Sequence, residues 1–262
     1  MYIFRSGCGI DDYLQLYQTC RGDLLEEYRD HKHKMDDYKW TLYTTWQLSF
    51  QRLKTQSAQA ATFLQHCAFL HYDGVSQTIF RNAAGNIESC FDDHKLNSVS
   101  NAKDFLGLFL TSGTWDTRKF LKILSDIRSY SLIEFDEKVK VYSIHPLVHD
   151  WIRGTMPHGE TTRDSTQCIL GMSVSGKFGS EDYSFRRTLL PHIDTALQGG
   201  TSTGSHLIAS LGQIYSEGRR WKEAEKLEVL VMETRKWVLG DEHPCSLMSM
   251  SDLALMYRAQ GR

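Results

Sequence analysis

Three stretches of this sequence carry residue types and spacings that could do chemistry. His145 and His149 stand four apart, the spacing that sets two imidazoles on one helical face as metal ligands require. No third ligand lies at a recognised spacing, and Pro146 occupies the place that glutamate takes in H-E-x-x-H, so a histidine capping a helix start is favoured over zinc. Gly171-Met-Ser-Val-Ser-Gly176-Lys177-Phe178 fits G-x-x-x-x-G-K but ends in Phe178 where Ser or Thr would ligate magnesium. A phosphate loop also needs a buried strand before it and a helix after it. Only Cys168–Leu170 precedes and Gly179-Ser180 follows, which favours a Gly/Ser connector. Asp30-His31-Lys32-His33-Lys34 reads as a solvated turn. No nucleophile has a base at an interpretable position, so no catalytic residue, metal site or resident cofactor is expected and the chain is not read as an enzyme.

The elements that would position these residues are mostly helical. Residues 1–42 show helical spacing at Tyr13, Leu14, Leu16, Tyr17, Leu24, Leu25 and Tyr28, which predicts two short helices. Trp46, Phe50 and Leu53 share one face of the next helix, with Thr44 or Thr45 as its cap. Ser57 opens an Ala-rich run whose stripe, Ala60 to Leu70, predicts a buried helix. A turn-rich stretch from Asn82 to Asn101 leads to a short apolar segment, Phe105–Leu110. Phe120, Ile123, Leu124 and Ile127 then recur at i, i+3, i+4 and i+7 in a helix expected over Asp116–Tyr130. Leu132–Phe135 and Val139–Ile144 read as a hairpin around Asp136–Glu137–Lys138, followed by a helix opened by His145-Pro146. Helices, a hairpin and a closing helix predict a winged-helix domain over 43–156. Residues 157–204 read as a helical connector with weak patterns at Ile169–Met172 and Phe185–Leu197.

The 262 residues carry 30 Lys+Arg against 32 Asp+Glu, a net charge of −2, without the basic excess of a nucleic-acid binder. No run approaches the roughly 18–20 apolar residues of a membrane span, and the first twenty residues lack a signal-peptide layout. The scattered cysteines, with no C-x-x-C pair, read as free thiols of a cytosolic or nuclear protein, the cytoplasm being the expected location.

The C-terminal end repeats itself. Leu211 and Tyr215 in LGQIY recur as Leu253 and Tyr257 in LALMY at an interval that marks a helical array, here over 205–262. Between them Trp221, Ala224, Leu227 and Val231 share one face, and Gly240 stops the helix before Asp241-Glu242-His243-Pro244. One and a half repeats are expected, packed through Leu211, Gly212, Tyr215, Trp221, Ala224, Leu227, Leu253, Ala254 and Tyr257. First-helix side chains line the concave face of such arrays, making Gln213, Ser216, Asp252 and Arg258 the expected partner-binding groove. About three repeats are usually needed for an independent array, so self-association through this end is also expected.

The run from LGQIYSEGRRWKEAEKLEVL to LALMYRAQGR resembles tetratricopeptide repeats of the kinesin-light-chain type. I-H-P-L-V-H-D-W at 144–151 resembles the histidine motif closing the winged helix of NB-ARC proteins. TTWQLSFQRL with AATFLQHCAFL is similar to the start of that winged helix in fungal-type members with tetratricopeptide tails. YIFRSGCGIDDYLQLYQ is similar to the helical end of their nucleotide-binding module, assigned here to 1–42. The resemblance implies a fragment of a NOD-like signalling ATPase whose phosphate loop would lie before residue 1. It implies that His145 contacts the β-phosphate of ADP when that module is supplied, with Pro146 in place of the aspartate of the commonest motif.

The expectation is thus a mainly α chain, a winged helix with a small hairpin followed by α-α repeat hairpins, working by protein–protein contact. Two alternatives remain: an ADP/ATP-binding signalling ATPase if the phosphate-loop region exists in the full product, and a DNA-binding winged helix.

Overall fold

The computed structural model describes Gln15 and residues 37–87, 97–157, 159–174, 179–201 and 206–259. Most of the segment 1–42, the Asp30–Lys34 cluster, and Gly176 and Lys177 lie outside the described residues. What is described is mainly helical: eleven helices and two small antiparallel strand pairs.

The first helix, α1 (Asp37–Gln56), runs through residue 43, and Thr44 is buried within it rather than capping it. Ser57, where the Ala-rich run was expected to open, caps α2 (Ala58–Cys67), its side chain accepting the Ala60 N–H. The turn-rich reading of 82–101 is corrected by α3 (Gln77–Gly85) and α4 (Asn97–Gly107), which hold residues at both ends of it. Ile79, Phe80, Ala83, Val99, Ala102, Phe105 and Leu106 are buried among Asn and Ser residues of poor propensity, so packing overrides local preference. The apolar segment ends in a hairpin, β1 (Leu110–Thr111) and β2 (Thr114–Trp115), turned by Ser112 and Gly113, both at positive φ.

Helix α5 (Thr117–Arg128) starts at Asp116, whose carboxylate accepts the N–H groups of Arg118 and Lys119. Its four expected core residues, Phe120, Ile123, Leu124 and Ile127, are all buried. The hairpin β3 (Glu134–Asp136) and β4 (Val141–Ser143) pairs Phe135 with Tyr142, in strands shorter than the apolar pattern. Asp136 Oδ1 accepts from Lys138 and Val139, so the residues expected to begin the second strand form the turn. Val75 and Tyr142 exchange backbone hydrogen bonds of 3.0 and 2.8 Å, stitching β4 to the α2–α3 connection. Helix α6 (Pro146–Thr155) follows, burying Val148, His149, Trp151 and Ile152.

The weak pattern at Ile169–Met172 belongs to a longer helix, α7 (Gly159–Ser173), buried on nearly all sides from Ser165 to Ser173. It packs against α2, α3 and α4 on one hand and against α8 (Ser180–Ala196) and α9 (His206–Glu217) on the other. A Cβ at Gly171 would lie 2.7 Å from both Cβ and the carbonyl oxygen of Leu207, so only glycine lets α7 and α9 approach this closely. The chain ends in α10 (Trp221–Leu239) and α11 (Pro244–Ala259). One apolar cluster runs from Leu53 to Met256 without interruption. Cys67 and Cys168 are buried in it and Cys245 is half-buried.

Candidate functional site

The repeat helices build a groove from three sides. Helix α9 buries Leu207, Ile208, Leu211, Ile214 and Tyr215, and α10 answers with Ala224, Leu227 and Val231. The turn between them is held by Arg220, whose guanidinium reaches Asp194 of α8 at 2.6 Å and Glu223 at 2.8 Å. The Tyr215 hydroxyl donates to the same Asp194 at 2.8 Å, and burial, reinforced by that carboxylate, pushes the phenol well above its usual range. Arg186, almost fully buried, pairs with Glu217 at 2.8 Å and ties α8 to the end of α9. Gly240, at φ 94°, ends α10, and the His243 ring accepts the Cys245 N–H at the start of α11. The Gly-Asp-Glu-His-Pro turn is therefore a stop and a cap in succession.

Of the packing residues expected from the sequence, Leu211, Gly212, Tyr215, Ala224, Leu227 and Leu253 are buried, Trp221 and Tyr257 are half-buried, and Ala254 is exposed. Gly212 and Ala254 hold equivalent positions in the two repeats, but only Gly212 is covered. A Cβ there would lie 2.9 Å from Oε1 of Glu228 and 3.5 Å from Cβ of Leu227. Its absence lets the Glu228 side chain lie against α9.

A cavity of about 320 Å³ opens between α9, α10 and α11, lined by Gln213 and Ser216, by Glu228 and Arg235, and by Asp252 and Met256 among others. Three of the four expected groove residues, Gln213, Ser216 and Asp252, meet here; Arg258 is exposed elsewhere on α11. Sequence reasoning missed Glu228 and Arg235 because it assigned the concave face to first helices alone, whereas α10 contributes both. The small residue at Gly212 was the available signal, since it marks where a side chain of α10 crosses α9. Arg235 donates to Ser249 Oγ at 2.6 Å and to the Cys245 carbonyl at 3.4 Å. Burial, reinforced by Asp252, pushes the Glu228 carboxyl up to about 7.

The two histidines at the α6 junction point to different surroundings. His145 is exposed and caps α6, its Nδ1 accepting the Leu147 N–H at 3.3 Å. His149 is turned into the core, where Nε2–H donates to the Leu70 carbonyl at 2.8 Å and burial holds the ring below its usual pKa. The shared face that a metal pair needs is not formed. Among the described residues no group of three His, Cys, Asp or Glu is placed to hold a metal ion.

Gly171 of the G-x-x-x-x-G-K match lies inside α7, so a helix rather than a strand leads into the segment. On α5, Arg118 lies 3.6 Å from Asp116, the Lys119 ammonium donates to the Leu110 carbonyl, and Arg128 sits over the Phe135 ring.

No helix among the described residues is long and apolar enough to cross a membrane. No curated protein and no solved structure matches the chain. Residues 206–244, which span α9, α10 and the turn to Pro244, match the tetratricopeptide repeat family, so this end of the chain carries a tetratricopeptide repeat, a protein-interaction module.

Proposed function

We propose that the chain is a non-catalytic regulatory protein of the cytoplasm that engages protein partners through the groove of its tetratricopeptide helices. The cavity bounded by Gln213, Ser216, Glu228 and Asp252 carries the reading. It is a concave, partly apolar surface on helices anchored by the Arg220 network and by the close α7–α9 contact, so a partner can dock without the site first having to form. Replacing Ser216 or Asp252 by arginine is expected to abolish recovery of bound protein partners from cells without lowering the melting temperature. Arginine at the exposed Leu121 of α5 should leave recovery unchanged. Undiminished recovery by both groove variants would refute the reading.

A second reading concerns the other end and is supported by the His145 geometry as well as by resemblance. With Nδ1 occupied as an acceptor, a neutral ring carries its proton on Nε2, and that N–H is a donor suited to an anionic phosphate oxygen. In this reading residues 1–42 close an NB-ARC nucleotide-binding module, 43–156 form its winged helix, and the β3–β4 hairpin and His145 dock on the module. The repeats then report ligand engagement to it, and ADP or ATP binds only in the complete assembly, which would be a slow ATPase switch. Calorimetric titration of ADP into a complex with a supplied module should show His145→Ala weakening affinity about tenfold, the loss of one hydrogen bond to a charged group. Equal affinities would contradict it.

A further inference from the structure

Four carboxylates of the repeat end are engaged by neighbours. Glu217 pairs with Arg186, Glu223 with Arg220, Asp241 with Lys236, and Glu225 accepts from the Tyr257 hydroxyl. Glu228 and Asp252 make no hydrogen bond or ion pair among the described residues, and both line the cavity. Glu228 is half-buried against α9, which is possible because Gly212 has no Cβ, and Asp252 faces it from α11. The one cation of the lining, Arg235, donates from Nη1 to Ser249 and to the Cys245 carbonyl, and its charge only partly offsets the two carboxylates. Met248, Leu255 and Met256 supply apolar wall beside the carboxylates, with Gln213 and Ser216 opposite. Two carboxylates lining one cavity with an apolar flank are complementary to a side chain with an alkyl stem and a cationic head.

We infer that the groove receives a lysine or arginine of a protein partner, its charged head between Glu228 and Asp252 and its stem along Met248, Leu255 and Met256. This deepens the groove reading above and rests on it. The Glu228 carboxyl, raised by burial first and by Asp252 second, agrees with it: a cation seated there would offset both and draw off the proton that Glu228 holds near neutrality. The charged groups facing Glu228 are Asp252 on α11 and Arg235 on α10, while α9 brings the neutral Gln213 and Ser216.

The test uses the full chain and two fluorescent alanine-rich helical peptides, identical except that one carries lysine and the other glutamate at every fifth position. At pH 7.5 and physiological salt the lysine peptide should bind at least fivefold more tightly. Glu228→Gln and Asp252→Asn should each weaken it about fivefold, and their combination should remove the preference. Glu181→Gln, an equal charge removal on α8, should change nothing. Binding at pH 7 should release protons, read from enthalpies in buffers of different ionisation heat, and Glu228→Gln should abolish that release. Equal affinity for the two peptides, or an unchanged lysine preference in both groove variants, overturns the inference. If partner proteins nevertheless fail to bind the Ser216 and Asp252 arginine variants, the groove reading stands while the cation-binding inference falls. If partner binding survives those variants, the groove reading itself fails.

Discussion

Between Phe63 and Tyr142 the rings interlock: Phe63 lies 4.9 Å from Phe80, 5.7 Å from Phe120 and 5.9 Å from Phe109, all buried. From Trp237 to Leu255 large apolar side chains stand in solvent instead, with Trp237 at 90%, Met248 at 58% and Leu255 at 55% exposure. The helices of the second region are the longer ones, 19 and 16 residues in α10 and α11 against 9 to 12 in α2–α5, so length does not bring burial. In the first, each helix finds apolar neighbours on every buried side. In the second, α11 uses one stripe, Ser246, Ser249, Leu253 and Met256, and leaves the rest open. The closed region holds itself together, and the open one retains surface for another molecule.

That comparison can be broken most forcefully at Phe120. Its replacement by alanine should cost about 4 kcal/mol in chemical denaturation, whereas Leu255→Ala at the exposed face should fall within about 0.5 kcal/mol. Similar losses at the two sites would erase the distinction.

Acid should weaken the closed region next. Burial holds His66 at about 3 and His192 at about 4, against an ordinary 6.5, with His149 lowered in the same sense. Such groups favour the folded state above pH 6.5, and their contribution is lost as pH falls from 6.5 toward 4. Glu228, raised from 4.5 to about 7, acts oppositely: its contribution is lost as pH rises through that range. Three imidazoles outweigh one carboxylate, so net stability should fall by on the order of 3 kcal/mol between pH 6.5 and 4. A urea midpoint that stays flat across this range would show that these rings are not buried neutral.

Gly171→Ala tests the contact that joins the two regions. Alanine is the better helix former, so a local account predicts a gain, whereas the clash with the Leu207 backbone predicts a loss of about 2 kcal/mol. At Gly154 of α6 a Cβ meets nothing, and Gly154→Ala should stabilise by about 0.5 kcal/mol. Opposite signs at these two helical glycines, read from thermal unfolding, would sharpen the picture of α7 as the close-packed joint.

The parts legible in the sequence were those with strong period and clear punctuation. Phe120, Ile123, Leu124 and Ile127 gave α5, and the recurrence of LGQIY as LALMY gave the repeat. The acidic turn at 136–138 gave the hairpin, though with strands too long, because apolar Leu132, Ile133 and Ile144 are buried without pairing across it. Helices α3 and α4 were hidden because Asn82, Asn97, Ser98 and Ser100 favour turns locally, and only packing on α7 makes those segments helical. The importance of α7 was hidden too, since a helix buried on all sides shows no amphipathic stripe, and its Gly171 invited a phosphate-loop match. At the groove, Gln213, Ser216 and Asp252 could be named from first-helix positions, but Glu228 could not, because its place depends on how α10 crosses Gly212.

The most direct test of the claim that the open end is the working surface is a photocrosslinking scan in cells, with benzoylphenylalanine placed in turn at Gln213, Asp252 and Leu121. The account predicts protein adducts from Gln213 and Asp252 and none from Leu121. Adducts from Leu121 with none from the groove positions would contradict it.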